Sequence, residues 1–296
     1  MSVSVSSAGP GKTRVPRPAQ SQFALTFRRF ARNRAALAGL IIVGLFAILA
    51  IFAPLIAPQD PTATDWGAIR QSPSLAHLFG TDELGRDVFS RILYGARASL
   101  LAGFVSVLIS FGVGVPLGMV AGYFGGFLDT VIMRVVDAFL AIPFLILAIA
   151  LAAFLGPSLS NAMIAIGISF APVFARLARA QTMVVKVEEY IEAARSIGAP
   201  HSVILSRHVF VNILPPLLVQ TTLAIATAII AEAALGFLGL GQQPPAPSWG
   251  SMLDNARASL MIAPTMAIYP GVAIFLTVLG FNLLGDGLHD ALDPKD

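Results

Sequence analysis

Residues 188–216 read EEYIEAARSIGAPHSVILSRHVFVNILPP, the longest charge-rich run lying between two strongly apolar segments of this chain. Glu188, Glu189, Glu192 and Arg195 recur at spacings that line one side of a helix, while Tyr190, Ile191, Ala194 and Ile197 supply an apolar side. Gly198, Ala199 and Pro200 then break the pattern, because glycine permits a left-handed C-terminal cap and proline suits the first turn of a new helix. The stretch predicts helix, bend, helix, with a first helix able to dock on a partner.

The surrounding chain is built for lipid. Of its 296 residues 56% are hydrophobic and 12% charged, against roughly 45–50% and 25% in soluble domains. There is no cysteine, which excludes disulfides, thiolate metal sites and a cysteine nucleophile. His77, His201, His208 and His289 are scattered without HExxH-type spacing, so neither a metal nor another cofactor is expected. The net charge of +3 follows membrane orientation along the chain and not a nucleic-acid patch.

Residues 1–22 are rich in Ser, Pro and Gly and read as a disordered cytoplasmic tail. SSAGPGKT at 6–13 resembles a phosphate-binding loop, but Ser6 stands where the first glycine belongs and no apolar strand precedes it. Residues 23–34, FALTFRRFARNR, are basic with interleaved aromatics, the composition of a helix on the inner membrane surface. Apolar runs at 35–57, 98–124, 139–155, 162–180, 213–240 and 265–284 predict six membrane spans in an all-α fold. The first span and the polar loop at 58–96 make an N-terminal region over 23–96. The remaining spans make a transmembrane domain over 97–285, and 286–296 form a C-terminal tail.

Six spans place both termini on one side, and the positive-inside rule chooses the cytoplasm. Seven basic residues from Lys12 to Arg34 precede the first span, and Arg176, Arg179, Lys186, Arg195 and Arg207 fall between the fourth and fifth. The opening stretch is therefore cytoplasmic.

Several residues stand out by type and place. Glu232 is an acid at membrane depth, which reads either as a passage-facing group or as a structural hydrogen bond between helices. Asp82, Glu83, Arg86 and Asp87 form a charged head on the outer loop, able to meet an extracytoplasmic partner or to hold the loop by internal ion pairs. Arg134 and Asp137, spaced i,i+3, predict an ion pair that fixes helix position. Gly112, Gly114, Pro116 and Gly118, with Pro172, predict close helix approach and local unwinding. The proline-rich loop GQQPPAPSWG at 241–250 is anchored by Trp249.

The segments HLFGTDELGRDVFSRILYGARASL (77–100), EEYIEAARSIGA (188–199), AEAALGFLGLG (231–241), PPAPSWGSML (244–253) and LGFNLLGDGLHDALDP (279–294), in this order, resemble the permease subunits of ABC importers. The likeness is to the second permease of the dipeptide, oligopeptide and nickel branch, and it covers nearly the whole chain after the tail. It implies a type I permease fold, no enzymatic activity, and an inner-membrane location. The implied partners are a second, homologous permease, two cytoplasmic ATPase subunits and an extracytoplasmic solute-binding protein. It identifies the opening stretch as the EAA loop, carried by Glu192, Ala193, Ala194 and Gly198, with Glu188, Glu189 and Arg195 on the same ATPase-docking helix. Relatives commonly carry Leu-Pro where this chain has Phe210-Val211, which leaves the shape of the second helix open. The implied cargo is a di- or oligopeptide, with nickel or another chelated solute as the alternative. A secondary transporter is the reading from another class, and neither coupling-ion sites nor clear inverted repeats support it. The incomplete phosphate-binding loop agrees with ATP hydrolysis in separate subunits.

Overall fold

The computed structural model describes residues 29–292. The tail at 1–22, the SSAGPGKT segment, the start of the basic aromatic segment and residues 293–296 lie outside the described residues.

The long helices are α1 (Arg34–Ile51), α2 (Val88–Phe124), α5 (Leu159–Val185), α7 (His201–Phe237) and α9 (Thr265–Leu292), all long and apolar enough to cross a membrane. The further crossing is a bent pair, α3 (Gly126–Leu140) and α4 (Phe144–Leu155), set at 89° to one another. Between them stand the cytoplasmic α6 (Glu189–Ser196) and the outer α8 (Trp249–Arg257). Among the described residues the fold is all-helical, with five single-helix crossings and a sixth where the bent pair is taken as one span, in the expected order.

Three boundaries differ from the hydropathy reading. Residues 88–96, expected in the outer loop, are the first turns of α2, because Asp87 caps them through its carboxylate on the Ser90 amide at 2.8 Å. The third crossing does not run straight from residue 139: the helix stops at Ala141 and restarts after Pro143, whose missing N–H and fixed φ suit a helix start. The second helix of the opening stretch does not end before its span but continues into it as α7. Its turn Ile204–Val209 is widened to π geometry just before Phe210-Val211, and Pro215 and Pro216 are accommodated inside the helix.

Close approach is the packing rule. On α2, Gly114, Gly118 and Gly122 repeat every fourth residue, and a Cβ at each would collide with the carbonyl oxygen of Ala171, Ala175 and Arg179 in turn. The two helices run parallel, backbone against backbone, as small-residue stripes allow in lipid. The α1–α9 contact uses the same device: a Cβ on Gly39 would stand 2.6 Å from the carbonyl oxygen of Gly280. The expected Arg134–Asp137 pair does not form. Asp137 accepts instead from Arg176 of α5 at 2.6 Å, and Asp129 takes a two-pronged bond from Arg179 at 2.5 and 2.7 Å. The Arg179–Asp129 pair, with two parallel N–H···O bonds, is the stronger geometry for an arginine and a carboxylate.

Candidate functional site

The cytoplasmic bend is built from its end-caps. Helix α6 carries Glu189 and Glu192 in its first turn and Arg195 in its last, each sign complementing the helix dipole at its end. It closes in a Schellman motif, in which the Ala199 amide donates to the Ala194 carbonyl at 3.0 Å and the Gly198 amide to Arg195 at 2.9 Å. That motif needs a left-handed residue, and Gly198 has φ +78°. Pro200 then precedes His201, the first residue of α7.

Only two side chains of the expected apolar side face inward. Ile191 and Ala194 are buried, whereas Tyr190 is half exposed and Ile197 is 84% exposed. Glu188, Glu189, Glu192 and Ala193 are exposed beside them. Arg195 turns back: its guanidinium lies 5.1 Å from the centroid of Tyr123 at the end of α2. The Tyr123 hydroxyl is hydrogen-bonded to Nδ1 of His201 at 2.9 Å. The bend therefore presents a mixed apolar and acidic face outward while it is tied to the ends of two membrane helices. Tyr123 and His201 are 78 positions apart, and no local pattern pairs them.

Glu232 is fully buried. One carboxylate oxygen accepts from the Ser99 hydroxyl of α2 at 2.8 Å, and that hydroxyl also accepts from the Trp249 amide at 3.3 Å. Trp249 is itself fully buried and donates through its indole N–H to the Ile92 carbonyl at 3.1 Å. Of the two readings of Glu232, the burial and the Ser99 bond agree with the structural hydrogen bond between helices, and no part of the side chain reaches the surface of this chain. Trp249, the expected anchor of the proline-rich loop, is part of the core.

The outer charged head is knotted inward. Arg86 binds Asp82 at 2.6 Å and Glu83 at 2.9 Å, while His77 meets Asp87 at 3.1 Å. Arg91 adds a second cation to Asp82 at 3.4 Å and donates to the carbonyl of Pro61 at 2.8 Å. Asp82, Arg86 and Asp87 are buried, and Glu83 alone keeps part of its side chain at the surface. Of the two readings of this head, the burial of Asp82, Arg86 and Asp87 agrees with internal ion pairs that hold the loop.

Two hollows flank these features. A cavity of about 350 Å³ lies between α2 and the π turn of α7, walled by Phe111, Val115, Met119, Leu205 and Phe210. A second of about 560 Å³ opens on the outer side among Pro58, Asp60, Pro61, Tyr94 and Pro247. The first is apolar and the second mixed, with the Thr62 hydroxyl donating to Asp60 at 2.6 Å in its wall.

Known proteins place this architecture. The glutathione transport system permease protein GsiD of Shigella dysenteriae serotype 1 is 50% identical over 91% of this chain and 89% of its own length. The dipeptide permease DppC of Alkalihalophilus pseudofirmus is 48% identical over 91% and 88%. Among solved structures, an inward-facing form of the MetNI methionine ABC transporter superposes with a TM-score of 0.56 at 22% identity, covering 69% of this chain and 97% of that one. Residues 21–73 match the N-terminal transmembrane domain of oligopeptide transport permease C. With residues 114–295 matching as well, the chain belongs to the family of binding-protein-dependent transport system inner membrane components.

Proposed function

We propose that α6 and the bend behind it are the surface on which a cytoplasmic ATPase docks, and that its movement is passed to α2 and α7. Membership of the family implies, in general terms, a partner permease, an ATPase and a binding protein. What supports the docking surface is its construction: Tyr190, Ile197 and the acids of α6 face outward, while Arg195, Tyr123 and His201 join the same element to two membrane helices. Nucleotide-driven closure would draw two such elements together and rock the bundle between inward-open and outward-open states, transport following from the difference in solute affinity between them.

The solute class we assign is short peptides, on the 48–50% identity to dipeptide and glutathione permeases over nine-tenths of the chain. The full complex, reconstituted in liposomes, tests both parts. Gly198→Pro and Glu192→Lys should leave the protein in the membrane yet remove solute-stimulated ATP hydrolysis. Unchanged coupling in both would refute the docking surface. Labelled dipeptide or glutathione should accumulate inside vesicles on ATP addition, and uptake of chelated nickel alone would refute the peptide assignment.

A further inference from the structure

Helix α3 differs from the other apolar helices in its orientation, its depth and the way its exposed surface is divided. It is entered through Gly125 and Gly126, both at positive φ, and left at an 89° bend into α4.

Its two ion pairs give the orientation. Asp129 and Asp137 are separated by about 12 Å along α3, whereas their partners Arg179 and Arg176 are only about 4.5 Å apart along α5 at 1.5 Å per residue. The two helices are therefore steeply crossed, and α3 runs across the membrane normal. The same arithmetic gives depth: Arg176 and Arg179 lie about 26 and 30 Å along α5 from its outer end. With a hydrocarbon core about 30 Å thick, that is the cytoplasmic boundary.

The exposed surface of α3 is divided lengthwise. Val136 is buried and Asp129, Ile132 and Met133 are half-buried on the side packed against the bundle. At 3.6 residues per turn, the exposed remainder sorts into two adjoining strips. One holds Thr130, Arg134 and Asp137; the other holds Phe127, Leu128, Val131, Val135 and Ala138. Phe127 is 84% exposed and Val135 56%. A helix crossing the bilayer against lipid would be apolar over its whole outer arc. A strip of polar residues beside a strip of apolar ones is the pattern of a helix lying at a water–lipid boundary.

We propose that α3 lies flat in the cytoplasmic leaflet, its Phe127–Val131–Val135 strip in the acyl chains and its Thr130–Arg134 strip in the headgroup layer. The lipid surface is the occupant of this otherwise uncovered face, and α3 anchors the start of the third crossing while Arg179 of α5 holds its inner side at Asp129 and Arg176 holds its polar strip at Asp137.

The chain has no cysteine, so single cysteines at Phe127, Val131, Val135, Thr130 and Arg134 can be spin-labelled in the full complex in liposomes of phosphatidylethanolamine and phosphatidylglycerol. Collisional relaxation by oxygen, which partitions into acyl chains, is compared with relaxation by a water-soluble nickel chelate. Labels at 127, 131 and 135 should favour oxygen several-fold, and labels at 130 and 134 should favour the chelate. Apolar-strip labels shielded from both agents would mean that a protein covers the face, and would overturn the proposal. So would apolar-strip labels that favour the chelate, or polar-strip labels that favour oxygen. Spreading the labels over five positions keeps the result readable if one variant misfolds.

Discussion

Arg195 of α6 lies over the ring of Tyr123, 5.1 Å from its centroid, and so joins α6 to the end of α2. Such a contact at an exposed site contributes about 0.5–1 kcal/mol. It is too weak to hold the fold but strong enough to bias how α6 sits.

Tyr123→Leu removes both the ring face and the bond to His201. We expect normal membrane insertion and at least a several-fold drop in solute-stimulated ATP hydrolysis by the reconstituted complex, with basal hydrolysis retained. Tyr123→Phe keeps the ring under Arg195 and should fall between wild type and Leu. Equal activity in all three would remove Tyr123 from the coupling route.

The glycine stripe of α2 sets up a contrast within one helix. A Cβ at Gly118 would strike the Ala175 carbonyl, whereas one at Gly112 meets nothing within 4 Å. Gly118→Ala must push α2 and α5 apart and should lower the detergent melting temperature by several degrees. Gly112→Ala should be neutral or stabilising by up to about 1 kcal/mol, because alanine is the better helix former. Equal shifts in thermal melts of the two would contradict the backbone-to-backbone packing.

Glu232 and Ser99 join α7, α2 and the Trp249 turn. Ser99→Ala leaves the buried carboxyl without its donor, a change that costs about 1–3 kcal/mol, and should show as a lower melting temperature. Glu232→Gln preserves the shape and should keep the preference among cationic, neutral and anionic dipeptides in a transport assay. A selective loss of cationic dipeptides would restore Glu232 to the passage.

How much was legible in the sequence depended on how local the cause is. The Schellman end of α6 was readable because Gly198, Ala199 and Pro200 act within one turn of chain. Spacing puts Tyr190 and Ile197 on one apolar side with Ile191 and Ala194, yet burial depends on what stands opposite, and only Ile191 and Ala194 meet the bundle. The charged head at 82–87 was visible as composition. That three of its four residues are buried follows from Arg91, His77 and the returning chain at Pro61, which local spacing does not bring together.

By itself the sequence determined the order of the apolar helices and the helix–bend–helix of 188–216, and its basic-residue bias points that bend to the cytoplasm. Hydropathy, basic-residue bias and glycine or proline backbone preferences each act over one segment at a time. The tertiary structure alone decided that Asp137 pairs with Arg176 and not Arg134, that Glu232 is locked to Ser99 from 133 positions away, and that α3 turns 89° from α4. These outcomes rest on which surfaces meet, and in a bundle of similar apolar helices that is settled by close approach at small residues and by the few polar groups that find a partner across it.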